Sequence, residues 1–294
     1  MKLQIGPSLL VLSCATIIGC GHQLDNTFSA PAREPSAAVN DRAKGQPDFP
    51  SGRIVDLTHA FDEQTIYWPT AAPFQLIRES AGVTERGYYY AANRFAAAEH
   101  GGTHIDAPIH FYQAHDTVEA IGLQRLLGAA VVIDVTQQCA RQRDYQIGVD
   151  DLRNWEVQHD RQLIDVIVLL RTGLGRFWPD REKYLGTAEI GEPAVAKLHF
   201  PGLHPDAARW LVEQRMIKAI GIDTASIDHG QSQDFQSHVK LFEHNVPVFE
   251  NLAQLDELPL TGFFVIALPM KIRGGSGGPL RIIAIVRDDE SAKS

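Results

Sequence analysis

Between His100 and His110 the chain reads His-Gly-Gly-Thr-His-Ile-Asp-Ala-Pro-Ile-His. Two glycines and a proline in this short stretch exclude a regular helix, and the glycines let the backbone bend closely around an ion. Four groups able to ligate a metal, His100, His104, Asp106 and His110, fall inside it. Imidazole nitrogens with a carboxylate oxygen suit zinc or manganese, while the lack of a nearby thiol argues against an iron–sulfur or all-thiolate site. On extended backbone His104 and Asp106 share a face, and His110 returns to it four residues on. The Thr103 hydroxyl is placed to orient a ligand or a bound water. A single histidine here would read as a surface or capping residue; four ligands at this density favour a site.

A body that encloses such a site needs a sizeable core. The chain has 294 residues, 44% hydrophobic and 21% charged, enough for one large or two small domains. With 27 basic against 36 acidic side chains the net charge is −9, which leaves no general positive field for a phosphate backbone and argues against nucleic acid as a partner. Three cysteines exclude a disulfide-stapled scaffold.

Residues 1–20 read as an export segment. Lys2 precedes apolar residues Leu9 to Leu12 and Ile17-Ile18, a stretch too short and too broken by Ser13, Cys14 and Thr16 to span a bilayer. The run Ile17-Ile18-Gly19-Cys20 resembles a bacterial lipobox, so Cys20 is expected to carry lipid and tether the chain to a membrane surface in the cell envelope or periplasm. An ordinary secretory signal is the alternative. Residues 21–52, rich in Gly, Pro, Ala, Ser, Asn and Asp, show neither a helical nor a strand period and read as a flexible linker. Residues 53–294 are then one folded domain.

Within that domain Ile54-Val55-Asp56-Leu57 reads as an opening strand, and the apolar runs 129–135 and 166–170 have the length of buried strands. Residues 205–216 carry an amphipathic helix signature, with Pro205 and Asp206 in the first turn and Ala208, Leu211, Val212 and Met216 at helical spacing. A strand over 218–223 follows, ending in polar residues, the α/β arrangement that places ligands at strand ends. Strands over 263–268 and 280–286 are separated by the glycine-rich loop 271–279. That loop lacks a phosphate-binding fingerprint and reads as a tight connection that can also line the site. Segments 137–160 and 178–199 read as surface loops able to cover a pocket or form a subunit contact.

The run from His100 through Phe111 resembles the metal-binding signature of the cyclase-like hydrolases, whose members include bacterial kynurenine formamidase and isatin hydrolase. The resemblance extends to the residues from Gly221 to Asp228, to His238, and to Pro247-Val248-Phe249-Glu250-Asn251-Leu252, and covers most of 53–287. It implies an α/β class and a swivelling β/α/β fold, with a mixed central sheet or flattened barrel flanked by helices. It also implies a homodimer or higher homo-oligomer in which pocket residues can cross the interface. In the kynurenine formamidases the residues matching His100, His104, Asp106, His110, His238 and Glu250 hold two zinc ions. Carried over, Asp106 would bridge the metals, His100, His104 and His110 would contribute nitrogens, and His238 and Glu250 would complete the second ion or hold its water. The isatin hydrolase type resembles this site but uses a single manganese and lacks the glutamate. Glu250 is present here, so the resemblance points to the two-metal version.

The implied reaction is metal-dependent hydrolysis of an amide, a formamide or a small cyclic amide, since such an ion lowers the pKa of water and polarises a carbonyl oxygen. His238 or His110 would shuttle the proton if Glu250 is occupied as a ligand, and His110 alone if one ion binds. No GxSxG elbow is present and no serine nucleophile is needed. Trp68, where the family places an aromatic segment, is expected either to stack on an aryl substrate or to sit in the core. Asp228 is expected to orient a ligand imidazole. His59 reads as structural, His229 as supporting or surface, and His199, His204 and His244 as surface or capping residues. Tyr88-Tyr89-Tyr90 reads as strand, at the rim or in the core. Two other functions stand beside the hydrolase: a surface-tethered metal- or solute-binding lipoprotein, and a non-hydrolytic cyclase or lyase. The mixed ligand set with remote His238 and Glu250 favours an enzyme over a histidine-rich scavenger. The export segment departs from a cytoplasmic formamidase and loosens the substrate expectation.

Overall fold

A computed structural model gives the fold over residues 52–287. The export segment, Cys20 and the expected linker up to Ser51 lie outside these described residues. The strands are β1 (Arg53–Asp56), β2 (Gln75–Val83), β3 (Tyr89–Ala96), β4 (His104–Asp106), β5 (Leu127–Asp134) and β6 (Gln146–Ile147). They continue as β7 (Ile167–Arg171), β8 (Gly202–Leu203), β9 (Ala219–Ile222), β10 (Val248–Glu250), β11 (Phe263–Pro269) and β12 (Gly277–Val286). Eight of them form one mixed sheet in the order β1-β12-β11-β5-β7-β9-β10-β4, and β4 pairs again with β12, so seven strands close into a barrel. The β5, β7, β9 and β10 neighbours are parallel; the remaining pairs are antiparallel.

The apolar runs of β5, β7 and β9 are explained by burial on both faces. Val131, Ile133, Val168, Leu170 and Ile220 pack beneath the helices, against Leu152, Leu211 and Leu241. Their alternates, Ala130, Val132, Ile167, Leu169 and Ala219, pack with Ile105, Phe249, Val265 and Ile282 in a second core drawn from all seven closing strands. A Cβ on Gly221 would lie 2.6 Å from Leu252 Cδ1, so a larger residue there would force the Leu252 side chain to move.

The helices are α1 (Leu123–Leu126), α2 (Thr136–Arg141), α3 (Val149–His159), α4 (Arg181–Leu185), α5 (Glu192–Val195), α6 (Pro205–Trp210) and α7 (Gln236–Phe242). Three sequence expectations are corrected here. Segment 137–160 is not a surface loop: it holds α3, whose first turn is closed by Asp151 accepting the Gly148 N–H, and whose Leu152 and Trp155 enter the core. Segment 178–199 contains α4 and α5, and Tyr184, Leu185 and Leu198 join Ile66, Leu174 and Phe200 in a third small core beside the site. The helix expected over 205–216 is capped by the His204 side chain and stops at Trp210, giving way to a π turn, Leu211–Arg215. Arg215 donates to both oxygens of Glu156 on α3, at 2.6 and 2.8 Å.

β2 and β3 form a separate two-stranded hairpin. Tyr88, Tyr89 and Tyr90 are exposed on it, in neither the core nor the cavity lining.

Candidate metal centre

β4 is three residues long and lies between β10 and β12. Its register sets His104 opposite Glu250 and Asp106 opposite Gly277. The strand period turns Ile105 into the barrel core and sends His104 and Asp106 to the other face, where Glu250 joins them as a cross-strand neighbour. The turn into β4 needs Gly102, whose φ is +59° and where a Cβ would lie 2.6 Å from the Phe61 ring.

His104, Asp106, His238 and Glu250 are buried, while His100 and His110 are half-buried. Asp106 is the hub. Its Oδ1 lies 2.6 Å from His100 Nδ1 and 3.1 Å from His104 Nε2, and its Oδ2 lies 3.0 Å from His238 Nε2. Glu250 Oε1 is 3.1 Å from His238 Nε2 and accepts the Ile227 N–H at 2.7 Å, leaving Oε2 3.5 Å from His104 Nε2. Two triads bring their ligand atoms within 4.8 Å of one another, His100/Asp106/His110 and His104/Asp106/Glu250, with Asp106 in both. His238 stands between the two carboxylates and belongs to neither triad.

The rings are oriented from outside. His104 Nδ1 is 2.9 Å from the Gly102 carbonyl oxygen, and His238 Nδ1 is 2.7 Å from Asp228 Oδ2. Asp228 also accepts the Ser237 and His238 N–H groups at 2.9 and 3.2 Å. His110 differs: its ring stacks on His100 at 3.8 Å, and among the described residues nothing hydrogen-bonds to it. Thr103 reaches no ligand. Its hydroxyl donates to the Asn251 carbonyl at 2.7 Å and accepts the His59 N–H at 2.9 Å, so it ties the turn to the next strand instead of orienting a ligand.

Burial would raise the Asp106 carboxyl, but His100 and His104 outweigh it and hold the group well below the usual carboxylate range. Glu250 goes the other way, raised by burial and then by the Asp106 charge. Burial opposes the charged form of His238, yet Asp106, Asp228 and Glu250 together raise it well above the ordinary value. Burial lowers His110 to about 4.

A divalent cation suits this arrangement. His104 Nε2 is buried with no hydrogen-bond partner among the described residues and faces two carboxylates, which crowd negative charge at the buried end of the site. Nitrogen and carboxylate donors without sulfur match zinc or manganese chemistry.

The cluster opens into a cavity of about 300 Å³, walled on its apolar side by Ile66, Trp68, Ala98, Phe111, Ala225 and Phe235. Trp68 is half-buried and meets Phe235 edge-on at 6.3 Å. His59 lies outside the cavity, stacked on Trp178 at 4.2 Å, with burial pushing it down to about 4. His229 is half-buried and does not line the cavity. His199 pairs with Asp144 at the surface, and His244 is exposed.

Sequence reasoning gave no role to Asn251, Tyr184, Phe111 or Phe235. Asn251 has a left-handed φ of +54°, donates to the Gly102 carbonyl at 2.8 Å, and accepts the Tyr184 hydroxyl at 2.9 Å. An asparagine directly after a candidate ligand was the one available signal.

The barrel and the shared carboxylate hub define a class of α/β proteins with an imidazole–carboxylate centre compatible with a metal ion. The family model described as "Putative cyclase" matches residues 55–229, and the chain belongs to this Cyclase family. It is 31% identical over 208 residues to isatin hydrolase of Roseibium aggregatum, covering 68% of this chain and 76% of that one. It is 27% identical over 230 residues to kynurenine formamidase of Bacillus cereus, covering 78% of this chain and 95% of that one. Isatin hydrolase A from Labrenzia aggregata, solved with benzyl benzoate bound, superposes with a TM-score of 0.72 at 33% identity, covering 80% of this chain and 94% of that one.

Proposed function

We propose that this protein is a metal-dependent hydrolase that cleaves the C–N bond of an amide, a formamide or a small cyclic amide. The observation that carries the reading is the pair of ligand triads sharing Asp106 at the inner end of an apolar cavity. The relatives named isatin hydrolase and kynurenine formamidase support a cyclic amide or a formamide as substrate. His100, His104, Asp106, His110, His238 and Glu250 would hold zinc or manganese, and the shared carboxylate supports two ions over one. When bound, a divalent ion lowers the pKa of water and polarises a carbonyl oxygen. Trp68, Phe111 and Phe235 would hold an aryl body against the cluster and keep water from it. If a single ion binds, His110, whose ring has no hydrogen-bond partner among the described residues, would take a proton and return it to the leaving nitrogen. Asp228 and the two carboxylates hold His238 in place.

The test uses purified full-length protein, its metal content, and hydrolysis of N-formylanilines and aryl lactams with and without a chelator. Activity should vanish with the chelator and return with zinc or manganese. Tight metal retention with no hydrolysis of either class would overturn the reading in favour of a metal-binding protein.

Two further parts of the reading concern surroundings. Export with lipid on Cys20 is supported by the Ile17-Ile18-Gly19-Cys20 run; palmitate should label the wild type and not Cys20→Ser, and equal label on both would refute it. Assembly with a second copy is supported by the β2–β3 hairpin, which exposes Leu76, Val83, Tyr89, Tyr90 and Phe95 by half or more, although a lone hairpin is marginal in water.

A further inference from the structure

We propose that the glycine-rich loop 271–279 belongs to the metal centre, through a Glu99–Ser276 pair that fixes the ring of His100. The inference rests on the metal-site reading above and adds to it two positioning residues and a tautomer.

Hydrogen accounting carries the argument. Glu99 Oε2 accepts the Ser276 N–H at 3.0 Å and the Ser276 hydroxyl at 2.6 Å. A hydroxyl has one proton, so with that proton committed to the carboxylate, Ser276 Oγ can only accept from its next partner. That partner is His100 Nε2 at 2.9 Å. Nε2 must therefore carry hydrogen, and in the neutral ring the lone pair falls on Nδ1. Nδ1 is the atom turned inward, 2.6 Å from Asp106 Oδ1 and on the side of the His110 triad. His104 and His238 are set the opposite way: each directs Nδ1 outward, to the Gly102 carbonyl and to Asp228, and keeps Nε2 for the centre. The site thus uses two tautomers, each chosen by an outer acceptor.

The loop is shaped for this task. A Cβ on Gly277 would lie 2.5 Å from His100 Cε1 and 2.6 Å from the Ile105 carbonyl oxygen. A Cβ on Gly275 would lie 2.9 Å from Glu99 Oε1 and 3.1 Å from Ile272 Cβ. Glycine on either side of Ser276 lets one hydroxyl reach both Glu99 and His100, and pairing of Gly277 with Asp106 locks the loop to β4. The loop encloses two side chains, which accounts for glycines that match no phosphate-binding pattern.

The experiment measures zinc affinity by chelator competition on the full chain, with apo thermal stability recorded alongside and ring tautomers read by ¹⁵N NMR of the zinc-loaded protein. Ser276→Ala should weaken zinc about 10- to 100-fold. Ser276→Thr, which keeps the hydroxyl, should recover most of the loss, and adding Glu99→Ala to Ser276→Ala should cost little more. His100 should show a protonated Nε2 while His104 and His238 show a protonated Nδ1. Wild-type affinity in Ser276→Ala, with or without a fall in apo stability, overturns the proposal, as does a protonated Nδ1 on His100. A wild-type protein that binds neither zinc nor manganese overturns the metal reading itself, and this inference with it.

Discussion

Asp106 faces three imidazoles with two oxygens, and that sharing decides what its loss should do. Asp106→Asn removes the one charge common to both triads, so the purified variant should lose metal by elemental analysis and lose hydrolysis by more than any change in an outer partner. Asp228→Asn keeps the shape but replaces the charged acceptor behind His238; metal affinity or turnover should fall about 10- to 100-fold, read by competition titration and steady-state rates. The candidate ligands from His100 to His110 stood out in the sequence because they crowd one short stretch. His238 and Glu250 were legible only through the family pattern. Asn251 and the Glu99–Ser276 pair were not, because their hydrogen bonds span 149 and 177 residues and no local periodicity records such a distance. Thr103 shows the converse hazard: its place inside the motif suggested contact with a ligand, but the hydroxyl is used by backbone.

At the scale of elements, the buried strands announced themselves because apolar runs such as Val166 to Leu170 have one physical use. Helix α3 escaped notice because only Leu152 and Trp155 of its residues are buried, too sparse a stripe to set a period. Its stability depends on a specific pair. Burial would raise the Glu156 carboxyl, but the Arg215 fork and the Leu163 N–H outweigh that and depress it. A depressed folded value means the contribution is complete above the unfolded carboxylate value, roughly 4.3, and is lost as the pH falls through the folded one. Glu156→Gln should therefore cost about 1.5–3 kcal/mol in urea unfolding at pH 7. The difference from wild type should shrink as the pH is taken below about 4. The hairpin calls for another measurement. Tyr89→Glu with Phe95→Glu places charge on its exposed apolar surface, and light scattering after gel filtration should show the mass fall to that of a single chain.

For the whole molecule, closure of the ring and assembly of the site are one event, because β4 both completes the barrel and carries His104 and Asp106. A ligand that binds only the closed form stabilises it by mass action, about 2.7 kcal/mol at a hundredfold excess over its dissociation constant. For a body of this size that corresponds to a rise in melting temperature of roughly 5–10 °C. Zinc or manganese should produce such a rise in calorimetry of the wild type, and Asp106→Asn should abolish it. The sequence-level picture of a mixed sheet flanked by helices was sound. Strand order lay beyond it, since a three-residue strand such as β4 is too short to show a pattern and is defined by two neighbours more than 140 residues away.

β4 is also, with β10, one of the two shortest staves of the ring, held on each side by only three paired residues. Opening there would uncover the backbone amides of β4 and of the start of β12 to solvent before the broader pairing of β5, β7 and β11 loosened. Deuterium uptake at those few amides would consequently gauge cation occupancy without any substrate, slowing as the centre filled.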